Sequence, residues 1–453
     1  MSLKSIKFGG TSMGSAKSIL ECADITKKAS KSNSVIVTVS AIGGVTSKLL
    51  NIIQLAKNQK PRLVNKKVSE LQVLHREILE NILSDNKSSE RVCEKNILPL
   101  FKSLRSILYG TSLVGDLTSK TIAHICSFGE KLSSHLAMQA LHKVGVTSQR
   151  VESEKIIRTD SCYLEANIHT KMTYLACRKT LTPLLKKNIV PIVTGFIGKD
   201  THGDITLLGR GGSDYTAAIL AVALFAKVIE IWTDVDGIMS SDPKIVPNSL
   251  TWSILDIQLM SEMAYSGAKV LHPKSITTAV ERGIPVYVLN VFNRKAKGTK
   301  VVVDKTEGVK GITISKNNVL LHLENPNMLE EVGFISKITD IVEHHNAPID
   351  VCATSETSFT FSIAEDDYSK KLHKELLNFS KLNVINNITK ICIIGFKVTK
   401  KMDLLADVFH ICLENQILAR SVSMGASSRN ITLMVDKIHG EKFLNLLHSK
   451  LIN

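Results

Sequence analysis

Aromatic residues are scarce in this chain, only 5% of 453. No basic run is interleaved with them, so the sequence lacks the stacking platforms that single-stranded nucleic acids use. Long hydrophobic runs are also missing. The longest, Ala217 to Ala226, ends at Lys227 and is too short to span a bilayer. The opening residues MSLKSIKFGG hold neither an apolar signal core nor a long basic amphipathic segment. A cytoplasmic protein with no membrane partner is expected. The eight cysteines (22, 93, 126, 162, 177, 352, 392, 412) form no CxxC pair and no zinc spacing. They read as scattered free thiols of a reducing compartment.

What is present is ordinary for a globular protein: 44% hydrophobic and 22% charged residues. At roughly 150 residues per domain, the length suggests two or three domains. Lysine and arginine total 57 against 42 acids, a net charge of +15. The excess is spread in pairs such as Lys66-Lys67, Lys186-Lys187 and Lys400-Lys401. That distribution reads as a solvated surface, so no nucleic-acid partner is expected.

The N-terminal stretch reads as strand, glycine turn, helix: Ile6 to Phe8, then Gly9-Gly10-Thr11-Ser12, then a helix from about Ser15. Further short apolar runs at 35–39, 190–193, 228–232 and 285–289 alternate with helical patterns at 60–113, 121–144, 214–226 and 259–281. Glycine or a small polar residue follows nearly every run. This is a parallel α/β layout, in which ligands sit beyond the strand C-terminal ends. After the basic linker 295–300 the pattern changes. Strands are expected at 311–315, 318–323, within 349–363, at 390–396 and within 417–435. Helices are expected at 333–345, 366–379, 402–414 and 440–451. This reads as a duplicated βαββαβ unit.

Five segments hold residue types with chemistry. In Lys7-Phe-Gly-Gly-Thr-Ser-Met-Gly-Ser15, glycines at a helix N-terminus suit phosphate oxygens, and Lys7 could reach a transferring phosphoryl group; a plain tight turn would look the same. In Gly209-Arg210-Gly-Gly-Ser-Asp214, Arg210 offers a fork for a carboxylate, while Asp214 could equally be a first-turn cap. Glu130 of Ser127-Phe-Gly-Glu130 reads as a surface charge unless it faces the pocket. Thr233-Asp234 ends a strand and precedes Asp242-Pro-Lys244, which suits a nucleotide or a simple strand end. In the last segment, Lys269 could touch phosphate, and His272 before Pro273 reads as a turn residue.

In order along the chain, KFGGTS (7–12), VSAIGGVT (39–46), GFIG (195–198), LGRGGSDYTA (208–217), WTDVDGI (232–238), DPK (242–244) and GAKVLHP (267–273) resemble the aspartokinase family, within the amino acid kinase superfamily. The resemblance covers essentially the whole chain. It implies a three-layer α/β sandwich with a mainly parallel sheet over 1–298, followed by two α+β ferredoxin-like ACT units over 299–453. The repeat pattern itself, with 311–315 left over and the second unit lacking a closing strand, suggests that the first unit, about 318–389, is inserted in the second, about 309–316 plus 390–453. The chain ends soon after the second unit, so a monofunctional type is expected; the effector residues named below add the expectation of a lysine-sensitive one.

The family's reaction phosphorylates the β-carboxylate of L-aspartate with ATP. By resemblance, Lys7 stabilises the transferring group, and Gly9, Gly10 and Ser12 line the phosphate loop. Arg210 binds the α-carboxylate of aspartate and Glu130 its amino group. Ser40, Ala41, Thr46, Phe196 and Ser213 line the same pocket, and Asp214 orients Lys7 and the substrate. Thr233, Asp234, Asp242, Lys244 and Lys269 hold ATP, whose phosphates carry Mg2+; no all-protein metal cage is seen. Two positions depart from the family pattern: Asp236 stands where proline is common and Met239 where tyrosine is common. In the first ACT unit, Met328, Gly333, Phe334, Ile335, Asp350, Thr354, Ser355 and Glu356 resemble a lysine effector site. ACT pairing implies a homodimer or tetramer. The alternatives are a kinase for another carboxylate, such as acetylglutamate, and a non-catalytic amino-acid sensor.

Overall fold

A computed structural model describes residues 2–268, 271, 273–325, 328, 333–424 and 427–452. Lys269 and His272 lie outside the described residues. The chain divides into two compact units. The first comprises Met1–Ile238, Trp252–Ile257 and Leu271–Val303; the second comprises Met239–Thr251, Gln258–Val270 and Asp304–Asn453.

The first unit runs β1 (Ser2–Phe8), α1 (Ala16–Ser30), β2 (Asn33–Val39), α2 (Val45–Lys57), α3 (Pro61–Leu83), α4 (Asn86–Val92), α5 (Leu98–Val114), α6 (Ser119–Lys143), β3 (Ser148–Val151), α7 (Thr170–Lys186), β4 (Val190–Thr194), β5 (Ile197–Lys199), β6 (Ile205–Leu207), α8 (Gly212–Ala223) and β7 (Val228–Thr233). After β8 (Ile254–Asp256) comes α9 (Ile257–Tyr265), which belongs to the second unit from Gln258 on. The first unit then closes with α10 (Pro273–Glu281), β9 (Val286–Asn290) and β10 (Thr299–Val302). Eight strands form one sheet in the order β3-β4-β2-β1-β7-β9-β10-β8. Every pairing is parallel except β9 with β10.

Strand alternation explains the layers. Val35, Val37 and Val39 of β2 join the core formed with α1, α2 and α6, whereas Ile36 joins a separate core with Cys177 and Leu181 of α7 and Ile219 and Leu220 of α8. The sheet is therefore covered on both faces, as an all-apolar strand requires. The chain leaves β1 toward β2 on one side and returns to β7 on the other. That reversal is a topological switch point, and ligands of such sheets sit at the C-terminal ends beside it. The loops after Phe8, Val39, Thr194 and Thr233 all emerge there.

The second unit is built on an antiparallel six-stranded sheet, β12-β13-β11-β14-β16-β15. In chain order its elements are β11 (Gly308–Glu324), α11 (Phe334–His344), β12 (Cys352–Thr354), β13 (Ser358–Ala364), α12 (Lys370–Phe379), β14 (Lys381–Phe396), α13 (Met402–Glu414), β15 (Ala419–Ser423), β16 (Asn430–Asp436) and α14 (Lys437–Leu451). The strands expected at 311–315 and 318–323 are one strand with a register shift between Ser315 and Asn318. The strand expected at 390–396 begins at Lys381. Its first half pairs with Asn318–Glu324, and its second half pairs with Gly308–Ser315. Asn387, at φ 57°, marks the irregularity on β14. A polar bulge of this kind looks like a loop in sequence.

Leu321, Leu323, Phe359, Phe361 and Ile363 face Phe334, Ile338 and Val342 of α11 and Leu372 and Leu376 of α12. The 239–251 stretch joins this unit through β11: Ile312 N–H donates to Ser240 O (2.8 Å), and Ser241 Oγ donates to Ile312 O (2.9 Å). Ser240 Oγ also meets His448 Nε2 at 2.8 Å. Among the described residues, no helix is long and apolar enough to cross a membrane.

Candidate functional site

Lys7 is the penultimate residue of β1 and points to the first unit's switch point. Its Nζ lies 2.7 Å from Asp214 Oδ1, and both side chains are about nine-tenths buried. Asp214 sits in the first turn of α8, after a left-handed Gly211 cap at φ 70°. The N-terminal end of that helix favours negative charge, and Lys7 supplies a fixed positive charge beside it.

The glycine loop is shaped by packing as much as by freedom of backbone. A Cβ on Gly10 would approach Ala41 O and Gly43 Cα at 3.3 Å, and Gly43 N–H donates to Gly10 O at 2.8 Å. The two loops after β1 and β2 therefore lie against each other. Gly9 N–H is committed to Trp232 O (3.1 Å), and Ser12 Oγ donates to the same carbonyl (3.1 Å). Ser12 is fully buried, so its hydroxyl ties the loop to β7. The amides of Gly10, Thr11 and Ser12 donate no hydrogen bond within the described structure, which leaves them for an anion.

Glu130 is the most informative residue here. It lies on α6, where a surface charge was the simple expectation, yet it is only 3% exposed. It accepts a hydrogen bond from the Ala41 backbone, while its Oε2 has no partner. Burial pushes its carboxyl up to about 8, against the lowering pull of the Ala41 and Glu130 amides and the Lys7 charge. Gly129 makes this placement possible, since a Cβ there would sit 2.8 Å from Ala41 Cβ. A buried carboxyl with an unused oxygen suits a cationic ligand group.

Ser40, Ala41, Phe196 and Ser213 join the same cluster. Ser40 N–H donates to Phe8 O (3.2 Å), and Ser133 Oγ donates to Ser40 O (2.6 Å). Phe196 adopts φ 71°, a left-handed conformation costly for a bulky residue. Its N–H is held by Thr216 Oγ1 at 3.0 Å. Gly195 is required beside it, because a Cβ would meet Ser213 Cβ and Oγ at 2.6 Å. Thr46 is half-buried in the first turn of α2, and Arg210 is exposed between left-handed Gly209 and Gly211. Neither is tied to the Lys7 cluster by a hydrogen bond or ion pair. Sequence reasoning missed Ser133, Thr216 and Thr194; Thr194 Oγ1 accepts Ser153 N–H (2.9 Å) and anchors the end of β4.

At the end of β7, Thr233 Oγ1 donates to Asp234 Oδ1 at 3.0 Å. Asp236, the departure from the family pattern, is held by Asn290 Nδ2 (2.7 Å) and Asn293 Nδ2 (3.0 Å). Side-chain hydrogen bonds thus fix a turn that proline would fix covalently. Asp242 and Lys244 belong to the second unit, where Asp242 Oδ1 accepts the Lys244 N–H (2.9 Å) and both side chains are exposed.

In the second unit, Phe334 is a core residue, packed on Phe379 at a ring-centroid distance of 5.1 Å. Gly333 caps α11 at φ 87°, and Ile335 is exposed. Met328 N–H donates to Asn325 O (3.0 Å). Thr354, Ser355 and Glu356 are exposed at the β12–β13 turn, and Asp350 Oδ2 accepts from Lys390 Nζ at 2.5 Å.

Comparisons with known proteins agree with this architecture. The amino acid kinase family model matches residues 5–290. Aspartokinase 1, chloroplastic, of Arabidopsis thaliana is 32% identical over 461 residues, covering 98% of this chain and 79% of that protein. Lysine-sensitive aspartokinase 3 of Escherichia coli is 31% identical over 458 residues, covering 98% of each chain. The solved Escherichia coli aspartokinase III with aspartate and ADP superposes with a TM-score of 0.84 at 29% identity, covering all of both chains. With the sandwich, the switch-point cluster and full-length relatives in agreement, this chain belongs to the aspartokinase family, within the amino acid kinases.

Proposed function

We propose that the chain transfers the γ-phosphoryl group of ATP to the β-carboxylate of L-aspartate, giving 4-phospho-L-aspartate, and that L-lysine inhibits it. The observation that carries the substrate reading is Glu130. A buried carboxyl with one unused oxygen, close enough to feel the Lys7 charge, suits the ammonium of a free amino acid. An acetylated amine would leave it unpaired, which disfavours acetylglutamate.

The chemistry needs no general base. The aspartate side chain has a reference pKa near 3.9 and is ionised at neutral pH. One of its oxygens attacks the γ-phosphorus, the bond to the β-phosphate oxygen breaks, and ADP takes the electron pair. Lys7 offsets charge on the transferring oxygens, and Asp214 holds Lys7 in place. The amides of Gly10, Thr11 and Ser12 face phosphate, Arg210 takes the α-carboxylate, and Thr46, Ser40, Ala41, Phe196 and Ser213 shape the pocket. Thr233, Asp234, Asp242, Lys244 and Lys269 bind the nucleotide. Magnesium arrives on the ATP phosphates as part of the substrate. A Glu130→Ala variant should raise the aspartate requirement far more than the ATP requirement; equal effects on both would remove Glu130 from this role.

Lysine inhibition is supported by the lysine-sensitive relative and by the acids Asp350 and Glu356 in the second unit. Met328, Gly333, Phe334, Ile335, Thr354 and Ser355 complete that proposed site. The edge strand β12 is exposed along its length, which supports pairing into a homodimer or larger assembly. The eight free cysteines support a reducing, cytoplasmic location.

A further inference from the structure

We propose that Lys390 is a built-in counter-ion of the effector site, and that it weakens and tunes the binding of a cationic amino acid there. The inference rests on the reading above that Asp350 belongs to the lysine site. Lys390 lies on β14, opposite Met434 of β16 and Ser315 of β11. Residues two apart on a strand share a face, so Lys390 shares its face with Ile388. That face carries the small apolar cluster of Leu320, Val351, Ile388 and Met434. The Lys390 side chain is only 7% exposed, and its Nζ lies 2.5 Å from Asp350 Oδ2. The Asp350 side chain is 37% exposed, so its carboxylate is reachable from solvent while its charge is already engaged from inside.

A nearly buried ammonium demands a counter-charge, and Asp350 is the ion-pair partner of Lys390. The main chain at Asp350 is held as well: Asp350 N–H donates to Ser362 O (2.9 Å), and Ser362 N–H donates to the next carbonyl, Val351 O (2.9 Å). An incoming lysine side chain would therefore share this carboxylate with a tethered ammonium, and like charges a few ångströms apart repel. Glu356 differs, since it is exposed and has no ion pair among the described residues. The site thus presents one neutralised acid and one open acid to a cationic effector. Replacing the internal ammonium by an apolar chain of similar length should free Asp350, because the surrounding face is already apolar.

The test uses the full chain and measures binding of L-lysine and of L-norleucine, the same amino acid without its side-chain ammonium. Lys390→Met should lower the lysine Kd by about tenfold or more, as expected for removing a close like charge. Norleucine binding should stay within about twofold, because its chain carries no charge to repel. Lys390→Arg keeps the charge and should keep the wild-type lysine Kd. Unchanged or weaker lysine binding by Lys390→Met would overturn the proposal. The double variant Asp350→Asn/Lys390→Met leaves neither charge buried and separates the two readings. If lysine binds it as tightly as Lys390→Met, Asp350 is not in the effector site and the underlying reading fails. If it binds lysine more weakly than Lys390→Met while Lys390→Met matches wild type, only the counter-ion role fails.

Discussion

Aspartate binding should be linked to the protonation of Glu130. Its carboxyl is pushed up to about 8 by burial, so it is mainly protonated at neutral pH without ligand. The proposed partner is an ammonium, which favours the ionised form. With a value near 8, about one molecule in a hundred is ionised at pH 6, one in ten at pH 7 and half at pH 8. Aspartate affinity should therefore rise about tenfold per pH unit below 8, or about 1.4 kcal/mol per unit, and flatten above it. At pH 7 binding should release close to one proton, about 0.9 on this arithmetic. Titration calorimetry of aspartate in buffers of different ionisation enthalpy reads both quantities. Glu130→Gln should bind aspartate weakly and lose the pH dependence. Wild-type affinity that is flat between pH 6 and 8, with no proton released, would show that Glu130 does not ionise on aspartate binding.

Lys7→Met should lower turnover by about 10^2–10^3-fold, typical of removing one charge-stabilising donor. It should also cost stability of about 3–5 kcal/mol by leaving Asp214 buried and unpaired, and Lys7→Met/Asp214→Asn should regain stability but not turnover. Gly195→Ala should cost about 1–3 kcal/mol and reduce kcat, because the new Cβ would press on Ser213 beside Asp214; thermal melts and steady-state kinetics read the two effects. His75 is buried, with its ring nitrogen 2.7 Å from Leu71 O, and burial pushes it down to about 4. Its folded value lies below the unfolded one, so the unfolded state binds more protons between pH 6.5 and 4. Stability should fall with acidification across that window by up to about 1.4 kcal/mol per unit, and urea midpoints of His75→Leu should show a shallower slope.

Strands β2, β4 and β7 were legible because each is a β-branched run followed by glycine or a small polar residue, whereas β1, with Ile6 as its single β-branched residue, was marked by the glycine turn after it. Short strands such as β5 and β6 carry too few residues to show a period, and α7 is obscured by Pro183 and its lysines. The helix expected over 259–281 is two helices, α9 and α10. The motif residues Lys7, Ala41 and Asp214 could be found by type and order. The environment of Glu130 could not, because Ser-Phe-Gly-Glu has the same local pattern whether the acid faces water or a pocket. Its burial depends on Gly129 meeting Ala41 from a loop nearly ninety positions earlier. Asp236 was legible only as a departure from the family pattern. Its hydrogen bonds to Asn290 and Asn293 come from β9 and the residues after it, a pairing that spacing does not reveal. The Asp350–Lys390 pair is equally silent in sequence, since it depends on β14 lying beside β11 and β16.

The Lys7–Asp214–Glu130 cluster is proposed to phosphorylate a free amino acid on its side-chain carboxylate. Hydroxylamine traps acyl phosphates as hydroxamates, so the direct measurement is ATP- and magnesium-dependent hydroxamate formation with L-aspartate, using L-glutamate as control. Product is expected with aspartate, little with glutamate, and less when L-lysine is added. Folded, ATP-binding protein that yields no hydroxamate with aspartate would contradict this role of the cluster.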